Sequence, residues 1–289
     1  MTKAPRRFAA ALAASAAALT LAATSAEAGP QVTSPPPLAP GPFAQAAMQS
    51  FLKTRSGDIT AAVYNLKSGR TFLYRPGVEA DDASIAKVDI LATALYDAQQ
   101  RGQQLTAAEQ QAATAAIEES DNDAAQGLWN AVGGNPSIGA FNAAAGMSQT
   151  ALDPEGVWGH YQSTALDQIR LLERLALPND LLSDASRAYE LGLMHRIDPV
   201  QAWGVSSGVL APATVALKNG WLPIAGGWEI NSIGWVSGRG RDYLIAVLTA
   251  ANPGMSYGIQ TISGISQLVW DYFLPARYGG GPQPWGSGI

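Results

Sequence analysis

The chain predicts an α+β fold, a five-stranded antiparallel sheet flanked by terminal helices plus an all-helical lobe. Three observations carry this expectation. A helix and two strands open the ordered part of the chain, a block of helices fills its middle, and three strands and a helix close it. The sheet must then be assembled from both ends of the chain, with the helices between forming the second lobe.

Phe43 to Lys53 has the apolar spacing of a first helix. Ile59 to Leu66 and Thr71 to Tyr74 read as strands joined by a hairpin turn at Lys67-Ser68-Gly69-Arg70. Ser84 to about Arg101 is a run of good helix formers stopped by Gly102. Thr106 with Glu109 gives a capping box before a run to Ile117, and Asp121 or Asn122 can cap a segment to Ala131. Asn135-Pro136 opens a helix to Ala145, Ser163-Thr164 one to about Leu175, and a further helix spans Asp180 to Met194. The period then changes. Thr214 to Lys218, Trp228 to Val236 and Asp242 to Thr249 alternate as strands, the last two joined through Ser237-Gly238-Arg239-Gly240, and Tyr257 to Tyr272 is the closing helix.

Lys3, Arg6 and Arg7, an Ala/Leu-rich run from Phe8 to Ala23, and Ala26-Glu27-Ala28 read as a secretory signal peptide over 1–28. Cleavage after Ala28 leaves 261 of 289 residues, enough for a substantial core. It also removes three bases and Glu27, which takes the net charge from −5 to −7. Acidity of this order argues against nucleic acid or an anionic membrane surface as partner. Residues 29–42 form a Pro-rich linker and 277–289 a Gly/Pro-rich flexible tail, so the working domain is 43–276. No stretch approaches the roughly 20 apolar residues of a membrane span. The absence of cysteine excludes disulfides, thiolate metal sites and cysteine nucleophiles, and leaves no thiol for a lipoprotein anchor. With only His160 and His195, far apart in sequence, neither a metal nor another cofactor is expected.

Chemistry centres on Ser84-Ile85-Ala86-Lys87. A spacing of three puts hydroxyl and amine on one helix face, where a lysine of lowered pKa can activate a serine. The helix N-terminus adds free N–H groups for an oxyanion. A second S-x-x-K, Ser50 to Lys53, ends a helix and so faces carbonyls, the wrong pole. Gly204-Val205-Ser206-Ser207-Gly208 matches a nucleophile elbow, but Pro212 interrupts the helix it would need and no His follows. Ser120-Asp121-Asn122 lies on a loop between helices, and Lys218-Asn219-Gly220-Trp221 at a strand end. Alone, the first is an ordinary helix cap and the second an ordinary surface turn.

Their order and settings change this. S-x-x-K, then S-D-N, then K-x-G resembles the signature of the class A β-lactamases and penicillin-binding proteins, and the order of elements over 43–276 resembles those serine hydrolases as well. The resemblance implies a β-lactamase/transpeptidase-like fold. It implies Ser84 as the acylated nucleophile, Lys87 as its proton acceptor or electrostatic partner, and Ser120 as the proton shuttle to the leaving nitrogen. Asn122 would hold the substrate amide and Lys87, and Asp121 would be structural. Lys218, Asn219 and Gly220 would line the substrate, Lys218 adding positive charge near Ser120 and the substrate carboxylate, while the N–H groups of Ser84 and Trp221 form the oxyanion hole. Two departures stand out. Asn219 replaces the usual hydroxyl residue, and Trp228 to Trp235 contains no Arg or Lys. Glu155 is the one acid placed to serve as the water-activating base, but Glu155-Gly156-Val157-Trp158-Gly159 does not match the family's E-x-x-L-N loop, and a solvated loop carboxylate is the alternative.

The function expected is a secreted or periplasmic serine hydrolase cleaving an amide or ester, β-lactam or cell-wall-peptide-like, through an acyl-serine intermediate. Its partner would be a small-molecule or peptide substrate such as a β-lactam or a peptidoglycan fragment, and the protein a monomer. The alternative is a non-catalytic penicillin-binding-like module that recognises a cell-wall peptide or a protein partner.

Overall fold

The computed structural model describes residues 40–274. The expected signal peptide, nearly all of the Pro-rich linker and the expected tail lie outside the described residues. The first elements are a 3₁₀ turn Pro42–Ala44, helix α1 Ala46–Leu52, and strands β1 Asp58–Asn65, β2 Arg70–Tyr74 and β3 Glu79–Asp81. A 3₁₀ turn Ala83–Ile85 runs into α2 Ala86–Gln100. There follow α3 Ala107–Thr114, α4 Asn122–Ala131, α5 Asn135–Ala145, β4 Gln162–Thr164, α6 Ala165–Ala176 and α7 Asp184–Met194. The chain closes with β5 Thr214–Ile224, β6 Gly227–Gly238, β7 Arg241–Asn252 and α8 Met255–Tyr272.

The five-stranded sheet has the order β2-β1-β7-β6-β5, every pair antiparallel, so both ends of the chain meet at the β1–β7 pair. Strand alternation builds two cores. Leu244, Ala246 and Leu248 of β7 face the helical lobe, whereas Tyr243, Ile245 and Val247 face α1 and α8. Helix α2 is apolar almost all round and runs through the lobe's interior, every residue from Lys87 to Leu95 being buried. Ser84, in the turn just ahead of it, therefore sits at the head of a buried helix.

Local capping decides several boundaries. Thr106 and Glu109 form the reciprocal box, the Thr106 N–H donating to Glu109 Oε2 at 2.7 Å and the Glu109 N–H to Thr106 Oγ1 at 3.3 Å. Thr106→Ala is expected to lower stability by about 1 kcal/mol, read as a shifted urea midpoint at unchanged slope. Helix α7 starts four residues later than its sequence suggests. Asn179 Oδ1 accepts from the N–H groups of Leu181 and Leu182, both at 3.0 Å, and so organises a turn ahead of the Ser183 cap.

Strand β5 is longer than expected. It continues through Asn219, Gly220 and Pro223 to Ile224, so the Lys-Asn-Gly segment lies within the strand and not at its end. As the sheet's edge strand, β5 accommodates Pro223, whose missing N–H would break a central ladder. The short ribbon of β3 and β4 was not anticipated; three residues give too little alternation to detect.

The helical lobe also buries charge. Asp89 of α2 is enclosed with Thr93, Asn142 and Glu190, and burial pushes its carboxyl from 3.8 to about 7. Glu190 is raised for the same reason and by Asp89 beside it. The unfolded chain releases the Asp89 proton near 3.8 and the folded lobe holds it to about 7, so the native state binds more protons between those values. Stability therefore falls as pH rises through this window. Asp89→Asn is expected to lose less melting temperature than the wild type between pH 5 and pH 8; an equal loss would contradict this origin.

Candidate active site

The turn that presents Ser84 is fixed from both lobes. The Asp82 N–H donates to the Tyr161 carbonyl at 2.8 Å, and its buried carboxylate accepts from Ser163 Oγ in a short contact and from Gln168 Nε2 at 3.2 Å. From the sheet, Asn231 Nδ2 on β6 donates to the Asp81 and Asp82 carbonyls at 2.6 and 3.1 Å. Between these anchors Ala83 adopts φ 50°, a conformation that a residue with a Cβ holds only when its surroundings enforce it. From Ala80 to Leu95 every residue is buried except Ser84. Its hydroxyl has no hydrogen-bond partner among the described residues, leaving it free to meet a ligand.

The Ser120 loop is shaped by equally specific backbone. Helix α3 widens into a π turn over Ala115–Glu119, Ser120 takes φ 62°, and Asp121 caps α4 by accepting from the Ala124 N–H at 2.7 Å. This aims the Ser120 hydroxyl and the Asn122 amide at Lys87. Lys87 Nζ donates to the Ser120 carbonyl at 2.5 Å, to Ser120 Oγ at 3.0 Å and to Asn122 Oδ1 at 2.8 Å. From β5, Lys218 Nζ reaches the same Ser120 Oγ at 2.9 Å and the Asn219 carbonyl at 3.0 Å.

Two amines thus converge on one hydroxyl in a buried place. Burial lowers Lys87 from 10.5 to about 8, against a smaller upward pull from Asp121. Burial and the neighbouring Lys87 charge push Lys218 well below its ordinary range. A neutral amine is then available near physiological pH, as proton transfer requires.

Gly220 brings β5 against the Ser84 turn. A Cβ there would lie 2.7 Å from the Asp82 carbonyl oxygen and 2.9 Å from the Ser84 nitrogen, closer than real side chains pack. The strand can approach the head of the Ser84 helix only because this residue has no side chain.

Four elements therefore bring Ser84, Lys87, Ser120, Asn122, Lys218 and Gly220 together, with Trp221 next in the strand. Two expected residues stand apart. Glu155 is exposed and its carboxylate has no hydrogen bond or ion pair among the described residues. Asn219 is fully buried, its Nδ2 donating to the Gln201 and Trp203 carbonyls at 2.5 and 3.1 Å. Beside Lys87 the loop after α5 instead presents Trp158, whose ring centroid is 5.2 Å from Lys87 Nζ and whose Nε1 donates to Gln126 Oε1 at 3.1 Å.

Trp158 and Asn231 were not singled out from the sequence. Trp158, Trp203, Trp221, Trp228 and Trp235 cluster around the motifs, a signal that could have found the first, whereas nothing local marks the second. Among the described residues, no group of three or more His, Cys, Asp or Glu is placed to hold a metal. A cavity of about 460 Å³ lined by Leu95, Gln99, Leu105, Gln110, Ser183 and Tyr189 lies toward the far end of α2, roughly 16 Å along the helix from Ser84. It is separate from this cluster.

Comparison with known proteins gives the family and the fold. Residues 102–273 match the model of a family described as "Beta-lactamase enzyme family". Among solved structures, an ancestral class A β-lactamase aligns with TM-score 0.67 at 22% identity, covering 78% of this chain and 98% of that one. A β-lactamase from Chitinophaga pinensis gives 0.68 at 19%, covering 78% and 99%. The TLA-1 extended-spectrum β-lactamase gives 0.70 at 18%, covering 78% and 96%. At these identities the likeness concerns the fold. A curated relative in Mycobacterium tuberculosis, named "Putative lipoprotein LppW", is 29% identical over 176 residues, 57% of this chain and 54% of its own. The chain thus spans about half the length of the curated relatives it matches.

Proposed function

Since the chain belongs to the beta-lactamase enzyme family, we propose that it is a serine hydrolase that cleaves an amide or ester through an acyl-Ser84 intermediate and deacylates slowly. The observation that carries this is the free Ser84 hydroxyl on the same helix face as an amine whose partners, Ser120 and Asn122, form a proton route. Neutral Lys87 takes the Ser84 proton as Oγ bonds to the acyl carbon and the carbonyl electron pair moves to oxygen. The N–H groups of Ser84 and Trp221 receive that oxyanion. As it collapses, the bond to the leaving nitrogen or oxygen breaks. The leaving atom takes the Ser120 proton, and the Lys87 ammonium restores it. Water then repeats the sequence with Lys87 as base and Ser84 as leaving group. Lys218, bound to Ser120 Oγ, holds that hydroxyl in line.

Slow deacylation follows from the surroundings of Lys87. Trp158 stands beside the amine, and Glu155 is turned to solvent. One base must serve both half-reactions, and the second has a water to position without a carboxylate. Export to the cell envelope or beyond is part of the proposal and rests on the signal-like start of the sequence. The name of the mycobacterial relative supports it, and no helix among the described residues is long and apolar enough to cross a membrane.

The test is the pH dependence of the acylation burst with an activated ester. With Lys87 near 8, the neutral fraction and hence the burst rate should rise about tenfold per pH unit up to about pH 8 and level off above it. A rate flat from pH 6 to 9, or a burst unchanged in Ser84→Ala, would contradict the mechanism.

A further inference from the structure

Building on the acyl-serine reading, we propose that the flank of the site formed by β5 and the 199–207 segment selects substrates uncharged beside the reacting carbonyl and rejects those carrying a carboxylate there. Lys218 and Gly220 face the Ser84 turn, whereas Asn219 and Trp221 lie on the alternate positions of β5, packed toward the 199–207 segment. A carboxylate lodged on this flank would need a cation or free donors to replace its water.

The donors are already engaged: Lys218 Nζ is fully buried and donates to Ser120 Oγ and the Asn219 carbonyl. Both Asn219 amide bonds go to the carbonyls of Gln201 and Trp203. The residue paired with Asn219 across the sheet is Ser232, fully buried, with Oγ accepting from the Val205 N–H at 3.0 Å. Gly204 approaches so closely that a Cβ on it would lie 2.5 Å from Ser232 Oγ, so no ligand fits between them. The 199–207 segment is itself tied down. Gln201 Nε2 donates to the Glu119 carbonyl at 2.9 Å, and Ser266 Oγ on α8 donates to the Val205 carbonyl at 2.8 Å. It straps the Ser120 loop to β5 and closes the flank.

What the strap leaves on this flank is apolar or negative in character. Trp203 and Trp221 are half-buried with ring centroids 6.1 Å apart. The oxygens Asn219 Oδ1 and Gln201 Oε1 are buried without donors and would repel an anion. Arg196, ahead of the strap, pairs with Glu118 at 2.7 Å. The substrate class that fits is a neutral ester or amide with an aliphatic or aromatic group against the tryptophans.

The experiment compares two activated esters of equal length with the mature protein, p-nitrophenyl valerate and mono-p-nitrophenyl glutarate, which differ by a terminal methyl or carboxylate. In each, the Ser84 Oγ–carbon bond forms, the bond to nitrophenolate breaks with its electron pair, and the Ser84 proton passes to Lys87. The burst of nitrophenolate, corrected for spontaneous hydrolysis, gives the acylation rate. The valerate is expected to react at least tenfold faster, and Trp221→Arg to accelerate the glutarate at least threefold. A glutarate rate equal to or above the valerate rate in the wild type would overturn the selectivity while leaving acylation intact. No burst with either ester, with wild type and Ser84→Ala alike, would overturn the acyl-serine reading and this inference with it.

Discussion

Lys87→Met is expected to lower the rate of Ser84 acylation by about 10³-fold and to abolish its rise toward pH 8. The substitution keeps an unbranched apolar stem in place of the lysine's and removes the amine. General-base assistance is worth about 10²–10⁴-fold, and Lys218, the other amine of the cluster, reaches the site from β5 through Ser120 Oγ and not from the Ser84 helix face. Folding should survive, because burying the amine opposes its charged form, as its lowered pKa shows. The Ser120 and Asn122 oxygens lose a donor, which is expected to loosen their loop. The check is burst kinetics from pH 6 to 9 with a thermal melt on the same sample. A variant that keeps its melt and retains more than a tenth of the rate would show that Lys87 is not the base.

Gly220→Ala is expected to reduce acylation about 10²-fold with a smaller effect on the fold. One methyl placed 2.7 Å from the Asp82 carbonyl oxygen and 2.9 Å from the Ser84 nitrogen forces β5 and the Ser84 turn apart. Both proposed oxyanion donors, the N–H groups of Ser84 and Trp221, flank that contact. Loss of one such donor costs about 10²–10³-fold in rate, whereas overpacking of this size costs about 1–3 kcal/mol of stability. Comparing the burst rate with the urea midpoint separates the two. A loss of stability without a matching loss of rate would place the oxyanion site elsewhere.

The order of elements and the three motif segments were legible in the sequence because each rests on short-range rules. The Thr106 capping box, the Asp121 cap and the alternation of β7 are decided within a few residues, and the structure repeats them. The strand end at Lys218 was misplaced because Asn219-Gly220 and Pro223 carry turn chemistry locally, while their place at the sheet edge is a property of the whole fold.

The engagement of Asn219 depends on a partner 16 to 18 residues earlier in the chain, and the anchoring of the Asp82 carbonyl depends on Asn231, 149 residues later. No spacing rule reaches so far. The loop that carries both Glu155 and Trp158 shows the limit most plainly. The resemblance offered the acid as the water-activating base, but the conformation after α5 exposes it and turns the indole toward Lys87.

The most direct test of the central claim is intact-protein mass over time after mixing the mature protein with p-nitrophenyl valerate or a penicillin, followed by peptide mapping, with Ser84→Ala in parallel. The expected result with the ester is one acyl group per chain, located on Ser84, absent from the variant, and outlasting the burst that formed it. The penicillin, which carries a carboxylate, is expected to label more slowly. Label on another residue, or label retained in Ser84→Ala, would contradict the assignment of Ser84 as the nucleophile.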